Sequence, residues 1–207
     1  MTIAYTYPIF ILPPRPETAI PSARLGLFEK PRQWLGQAKM NGTFNQIIVS
    51  PTGRLVCRRR DGSEHKQWWA TEVNEKAFQN LPGDGYYVFS AELLNDKTKH
   101  IKNVNYLHDI LVADGKLLTG TSYPERYRIL CDLFPNTEFG SEAYSIIDDR
   151  TWLAKVFHPP FLALYDRLIK FEEIEGLVLK NTFTKLSLGD PSRGQIKVRR
   201  PTKNYAF

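Results

Sequence analysis

Lys39 stands in the segment Trp34-Leu-Gly-Gln-Ala-Lys39-Met-Asn-Gly42-Thr-Phe-Asn45. A lysine amine is a nucleophile only when neutral, and in water its pKa of ~10.4 keeps it cationic. Burial or neighbouring cations are what release it. Taken alone, Lys-Met-Asn-Gly is also a common kind of turn. Two basic clusters lie elsewhere in the chain. One is Arg58-Arg59-Arg60; the other is a tail holding Arg193, Lys197, Arg199, Arg200 and Lys203 with no acid among them. Such runs are either solvated surface or a surface that faces phosphate. Cys57 follows a strand-like run and reads as a buried strand cysteine rather than a thiol nucleophile.

Other chemistries are missing. The chain has no GxxxxGK phosphate loop, and Gly83-x-Gly85 is too little for a dinucleotide fingerprint. It has no GxSxG elbow, and His65, His100, His108 and His158 lack the spacings of a zinc site. The usual routes to a kinase, protease or dehydrogenase are therefore unsupported. Among 207 residues, 28 lysines and arginines face 22 acids, a net charge of +6 that favours a polyanionic partner. Two cysteines, Cys57 and Cys131, argue against a disulfide framework and for a reducing, cytoplasmic setting. Ile9–Leu12 is too short to span a membrane and residues 1–20 lack signal-peptide features, so no membrane partner is expected. A hydrophobic fraction of 42% is enough for a core without a staple.

The elements that must position these residues can be read from pattern and punctuation. Residues 1–22 form a proline-rich lead-in, extended rather than helical because Pro8, Pro13, Pro14, Pro16 and Pro21 fix φ and remove donors. Gln46–Val49 and Arg54–Arg60 around Pro51-Thr-Gly53 read as a β-hairpin. Thr71–Leu81 reads as a helix capped by Thr71, with Val73, Ala77, Phe78 and Leu81 on one face. Tyr86–Leu94 and Ile110–Ala113 read as strands. Ser122-Tyr-Pro-Glu125 resembles a capping box before a helix that turns Tyr127, Leu130, Leu133 and Phe134 inward. A further helix is expected over Pro160–Glu173, with Phe161, Leu164, Leu168 and Phe171 inward. Ile174–Lys180 and Gln195–Arg200 return to strand pattern. Trp68 and Trp69 read as core or helix-packing residues. Strands and helices without regular alternation favour an α+β fold, and no linker divides the chain.

Five segments, taken in order, resemble the motifs of the covalent nucleotidyltransferases, the superfamily of ATP-dependent DNA ligases, RNA ligases and mRNA capping enzymes. Lys39-x-Asn-Gly42 resembles the nucleotide-attachment motif. Tyr87-Val-Phe-Ser-Ala-Glu92 resembles the strand motif that ends in an acid. Tyr106-Leu-His-Asp109-Ile resembles the motif with an aromatic before an acid. Glu175-Gly-Leu-Val-Leu-Lys180 is close to the Glu-Gly-aliphatic-Lys motif, and Gln195-Ile-Lys197-Val-Arg199 resembles the final Lys-x-Lys. The resemblance spans residues 34–200.

That resemblance implies a single adenylylation (nucleotidyltransferase) domain over 1–207, of α+β, ATP-grasp-like class. It would have two antiparallel sheets, flanking helices and no OB domain. Lys39 would be the catalytic nucleophile toward the α-phosphorus of ATP, assisted by Lys197 and Arg199. Gln37, Ala38, Gly42, Arg60, Glu92, His108, Glu175 and Lys197 would surround the nucleotide. Glu92 and Glu175 would hold Mg²⁺ or Mn²⁺. Arg58, Arg59, Arg200 and Lys203 would face nucleic acid. His108 stands where the family usually stacks Phe or Tyr on adenine. Phe44 stands where many DNA ligases carry an arginine, and Arg199 replaces the second lysine of the final motif. The implied activity is sealing of nicked DNA by an ATP-dependent polynucleotide ligase through a lysyl-AMP intermediate. The alternatives are an RNA ligase, for which Asn45 and the arginine-rich hairpin at Arg58–Arg60 speak, and a nucleotide- or nucleic-acid-binding module without ligase activity. A separate protein could supply what an OB domain does elsewhere.

Overall fold

The computed structural model describes residues 3–187 and 194–201. Its strands are β1 (Ile3–Ala4), β2 (Thr18–Ala19), β3 (Trp34–Met40), β4 (Thr43–Val49), β5 (Leu55–Arg58), β6 (Tyr87–Leu94), β7 (Val104–Ala113), β8 (Lys116–Leu117), β9 (Glu138–Phe139), β10 (Tyr144–Asp148), β11 (Thr151–Ala154), β12 (Ile174–Asn181) and β13 (Gln195–Arg199). Three α-helices interrupt them: α1 (Glu72–Glu75), α2 (Tyr123–Leu133) and α3 (Phe161–Leu168). The larger sheet runs β5-β4-β6-β7-β11-β10-β9, with β8 on β7 and β1 on β8; the smaller runs β2-β13-β12-β3. Most pairs are antiparallel as expected, but β11 joins β7, and β13 joins β2, in parallel.

Period-two alternation gives the smaller sheet two different faces. Ala38, Met40, Leu177, Leu179 and Val198 are buried against Phe161, Leu164 and Leu168 of α3. The opposite parity carries Gln37 and Lys39, Val178 and Lys180, and Lys197 and Arg199. The register aligns Gln37 with Val178 and Lys197, and Lys39 with Gly176 and Arg199. In the larger sheet, Phe44, Glu92 and Tyr106 form one row across β4, β6 and β7.

Two bulges re-aim side chains. Pairing of β12 with β3 jumps from Ile174–Met40 to Gly176–Lys39, leaving Glu175 as the extra residue. Pairing of β6 with β7 jumps from Ala91–Leu107 to Ser90–Asp109, leaving His108 as the extra one. Gly176 is required beside the first bulge. Its φ is +153°, and a Cβ there would lie 1.8 Å from the Val198 carbonyl oxygen.

The Ser122 capping box forms as the sequence predicts: the Ser122 amide and hydroxyl both donate to Glu125 Oε2. Three other expectations need correction. The helix expected over Thr71–Leu81 is α1 followed by a 3₁₀ turn, Lys76–Phe78. Val73 is exposed there, because Asn74 takes the buried position and donates its amide to Asn103. The helix expected to reach Glu173 ends at Leu168, and Phe171 is left exposed. Trp69 is not a core residue but is 73% exposed, whereas Trp68 is half-buried and donates its indole N–H to Asn103 at 2.7 Å.

Candidate active site

A cleft of about 910 Å³ opens between the two sheets, within the roughly 300–1,000 Å³ range of small-molecule sites. Gln37, Ala38, Lys39, Gly42, Arg60, Glu92, His108, Glu175, Lys197 and Arg199 all line it, together with Arg59. The other predicted basic residues are placed elsewhere. Arg58 ion-pairs with exposed Glu64 at 2.6 Å. The Arg200 guanidinium is spent on the carbonyls of Ile169, Phe171 and Ile174, where it ties off the turn between α3 and β12. Arg200 Nη2 thus serves the fold at this turn. Lys203 and Arg193 lie outside the described residues.

Lys39 projects from the end of β3, its side chain only 17% exposed, and ion-pairs with Glu175 Oε1. Arg199 Nη2 stands 3.6 Å from the same oxygen. The nearest neighbour of the amine is thus a carboxylate rather than the cations expected from sequence. Gly42 lets the opposite wall approach, since a Cβ there would lie 2.5 Å from Glu92 Cγ and 2.7 Å from the Leu93 carbonyl oxygen. Burial raises the Glu92 carboxyl above the usual range, partly offset by Lys39, Lys97 and Arg60. Burial, then Arg199 and Lys39, lower Lys197. The Arg60 guanidinium sits 4.7 Å over the Phe44 ring, so Phe44 seats this cation at the cleft wall.

The far end of the cleft is set up for a flat, polar ligand. Gln37 is 2% exposed, and its side-chain amide nitrogen has no hydrogen-bond partner among the described residues. An unpartnered buried donor at a cleft wall is costly unless a ligand accepts from it. Burial, reinforced by Lys180, lowers the His108 imidazole to about 3, so the ring is neutral at pH 7. A neutral planar ring can stack on a base without repelling its donors. Behind it, Asp109 and Arg126 form a buried bidentate pair at 2.8 and 2.9 Å, each side chain 3% exposed. Burial acts to raise the Asp109 carboxyl, but Arg126 and Lys180 outweigh it and hold it below the usual range. Lys180 Nζ donates to the His108 carbonyl at 3.0 Å and lies 3.9 Å from the Tyr123 ring centre. Burial lowers Lys180 to about 7. With Tyr106, whose hydroxyl donates to the Ala38 carbonyl at 3.3 Å, Lys180 ties the two sheets together across the cleft.

Glu92 and Glu175 are on facing walls of the cleft. No group of three or more His, Cys, Asp or Glu side chains converges among the described residues. Two carboxylates suit Mg²⁺, which completes its shell with phosphate oxygens and water, and they do not make a site for a metal held by protein alone.

Several residues of the cleft were not singled out from sequence. Arg15 and Lys97 line it from loops, and nothing in their local pattern marks them. Lys180 belongs to the Glu175–Lys180 string, and its place in the motif was its only signal. Asn45 does not reach the cleft: it is fully buried, bonded to Asn105 at 2.9 Å and to His65 at 3.1 Å. Cys57 is inert, its thiol pushed up to about 12 by burial.

No family model matches the sequence, and no curated protein matches it. Solved structures do. The ligase domain of M. tuberculosis LigD superposes with a TM-score of 0.65 at 16% identity, covering 91% of this chain and 59% of that one. A mycobacterial DNA ligase D complexed with ATP and MES gives 0.63 at 18% identity, covering 91% and 60%. A Lig E DNA ligase, described as binding DNA with a minimal scaffold, gives 0.54 at 13% identity, covering 97% and 68%. This chain therefore spans about six-tenths of the length of the two ligase D structures. No helix among the described residues is long and apolar enough to cross a membrane. At these identities the likeness is one of architecture: the chain has the α+β fold of the ligase domains of DNA ligases.

Proposed function

We propose that this protein is an ATP-dependent polynucleotide ligase of DNA-ligase type that works through a lysyl-AMP intermediate. The observation that carries this reading is convergence: ten residues chosen from six separated segments line one cleft, with Lys39 and Glu175 paired inside it. The fold shared with DNA ligase domains, one of them holding ATP, supports it.

In this reading the adenine lies against His108 and receives a hydrogen bond from Gln37, while Arg60 and Glu92 meet the ribose. As ATP enters, the Lys39 ammonium loses a proton to solvent, and Glu175 stays ionised beside the amine. The neutral amine attacks the α-phosphorus: the nitrogen–phosphorus bond forms, the bond to the bridging oxygen breaks, and pyrophosphate leaves with that electron pair. The nitrogen gives its second proton to the departing pyrophosphate, and a phosphoramidate remains. Lys197 and Arg199 stabilise the charge that builds on the α-phosphate. Glu92 and Glu175 would hold Mg²⁺ on the phosphates, where it would neutralise charge. AMP then passes to a 5′-phosphate, and a 3′-hydroxyl displaces it.

The test is incubation with α-labelled ATP, GTP or NAD and Mg²⁺, followed by denaturation. Label from ATP that survives in wild type and disappears in Lys39→Ala supports the reading. Undiminished label in Lys39→Ala overturns it. Retention of nucleic-acid binding without label from any nucleotide would make the chain a binding module instead. Sealing of nicked DNA against nicked RNA then identifies the strand.

A further inference from the structure

A second pocket, of about 330 Å³, opens off the cleft. The two cavities meet at Thr43 and Arg59, which line both. Strand register fixes the direction in which the second one lies. Along β4 and β6, Gln46 pairs with Ser90, Phe44 with Glu92 and Thr43 with Leu93. Ser90 faces Asp109 on β7, and Glu92 faces Tyr106. His108, at the end assigned to the base, is the bulged residue beside the Ser90–Asp109 pair. Glu92, against which Gly42 packs, lies further along. Leu93, Asn95 and Asp96 continue the same way into the second pocket. A nucleotide with its base at His108 and its α-phosphorus at Lys39 therefore runs toward this pocket, away from the base end.

Buried asparagines hold the aromatic wall of the pocket. Trp68 donates its indole N–H to Asn103 Oδ1 at 2.7 Å, and fully buried Asn74 donates to the same oxygen at 3.1 Å. His65 Nε2 donates to Asn45 Oδ1 at 3.1 Å, and Asn45 donates to buried Asn105 at 2.9 Å. The two rings meet edge to face, their centroids 5.3 Å apart. They are held in place before any ligand arrives, which lowers the cost of binding. Burial, then Arg59, lower the His65 imidazole below its usual range, so the cations of the pocket are Arg59 and Lys66. Arg58 is paired with Glu64, but the side chains of Arg59 and Lys66 make no hydrogen bond or ion pair within the described residues. Asp96 is the one carboxylate among the lining residues.

We propose that this pocket receives the 5′-phosphate end of the acceptor DNA strand, with Arg59 on the phosphate at the junction with the cleft, Lys66 on the phosphodiester backbone and the terminal nucleoside against Trp68. The proposal deepens the ligase reading and rests on it for the direction of the nucleotide. Pyrophosphate would call for cations alone. Cations interleaved with fixed aromatic rings, and with exposed Trp69 next to Trp68, suit a nucleotide chain. A guanidinium fork can hold two oxygens of the terminal phosphate while the third attacks the α-phosphorus. In that step the oxygen–phosphorus bond forms and the bond from the Lys39 nitrogen to phosphorus breaks. The nitrogen keeps the electron pair and takes a proton from solvent.

The full chain, as wild type, Arg59→Ala, Arg59→Lys and Lys66→Ala, is tested on nicked DNA carrying a 5′-phosphate or a 5′-hydroxyl at the nick. Wild type should bind the phosphorylated nick about tenfold more tightly, Arg59→Ala should lose that preference, and Arg59→Lys should regain part of it. With DNA below saturation, the ratio of AMP transfer from preformed lysyl-AMP to adduct formation from ATP should fall about tenfold in Arg59→Ala and about threefold in Lys66→Ala. AMP binding reports that the cleft remains folded. Unchanged 5′-phosphate preference and unchanged transfer in Arg59→Ala overturn the proposal. Weaker binding of ATP but not of AMP, with transfer intact, also overturns it and makes the pocket a pyrophosphate site. If the 5′-phosphate preference depends on Arg59 but wild type forms no adduct on Lys39, the ligase reading fails and the strand site stands. If wild type seals nicks and Arg59→Ala and Lys66→Ala match it, the strand site fails and the ligase reading stands. A wild type that neither forms the adduct nor binds the nick removes both.

Discussion

Two ion clusters sit within one fold and use the same ingredients differently. Behind the cleft, Asp109 and Arg126 are bidentate and buried, each side chain 3% exposed. At the cleft, Lys39 and Arg199 share one oxygen of Glu175, with the three side chains 17%, 26% and 24% exposed. The first arrangement satisfies both partners and leaves nothing to exchange. The second is lopsided: two cations compete for one carboxylate beside open space, so an incoming phosphate can take over either cation. Fixed geometry is built from closed pairs and chemistry from shared ones. The closed pair braces β7 against α2, and β7 carries the His108 that lines the cleft.

The largest expected effect comes from opening the closed pair. Asp109→Ala strands a buried guanidinium and should cost about 3–5 kcal/mol in denaturant unfolding. Removing both partners as Asp109→Ala with Arg126→Met should cost clearly less. Lys39→Ala should cost within about 1 kcal/mol, because Glu175 keeps Arg199. Equal losses for Asp109→Ala and Lys39→Ala would erase the contrast.

Next in size is Gly176→Ala. Its Cβ would strike the Val198 carbonyl and push β13, with Lys197 and Arg199, away from β12. A loss of about 1–3 kcal/mol is expected, together with weaker ATP binding. Stability and binding that both stay unchanged would show that the register there is not what aligns the cations.

The smallest effect is a pH slope. Lys180 falls to about 7 in the folded chain, mainly through burial, against ~10.4 when unfolded. Below pH 7 both states are protonated and the burial penalty is fully present. Between pH 7 and 9 the unfolded chain holds more protons, so this group makes stability rise with pH, by at most about 1.4 kcal/mol per unit. Lys180→Met should flatten that rise, measured as unfolding free energy across pH 7–9. A wild-type slope that survives in Lys180→Met places the titration elsewhere.

Some of this was legible in the sequence because side-chain type and backbone geometry say the same thing. Glu175–Lys180 carries three aliphatics between a glycine and a lysine, and it is a central strand flanked by site residues. Ser122 and Glu125 announced α2. The strand that carries Lys39 was not legible: only Ala38 and Met40 keep a two-residue period, Gly36 interrupts it, Leu35 falls on the other parity, and only pairing with β12 makes the segment a strand. Charge alone does not separate neighbouring roles. Arg200 and Arg199 look alike in sequence, yet one caps three carbonyls and the other reaches Glu175. Arg15 and Lys97 were invisible because they enter the cleft through loops whose path is set by distant anchors. Trp69 shows the converse, a large apolar side chain left at the surface.

The central claim concerns one nitrogen atom. Incubate wild type with ATP and Mg²⁺, digest it, and measure the mass of the peptide containing Lys39. The account predicts an acid-labile gain of one AMP on that peptide, discharged by pyrophosphate and missing from Lys39→Ala. AMP found on another residue, or a Lys39 peptide unmodified while the protein seals nicks, would contradict it.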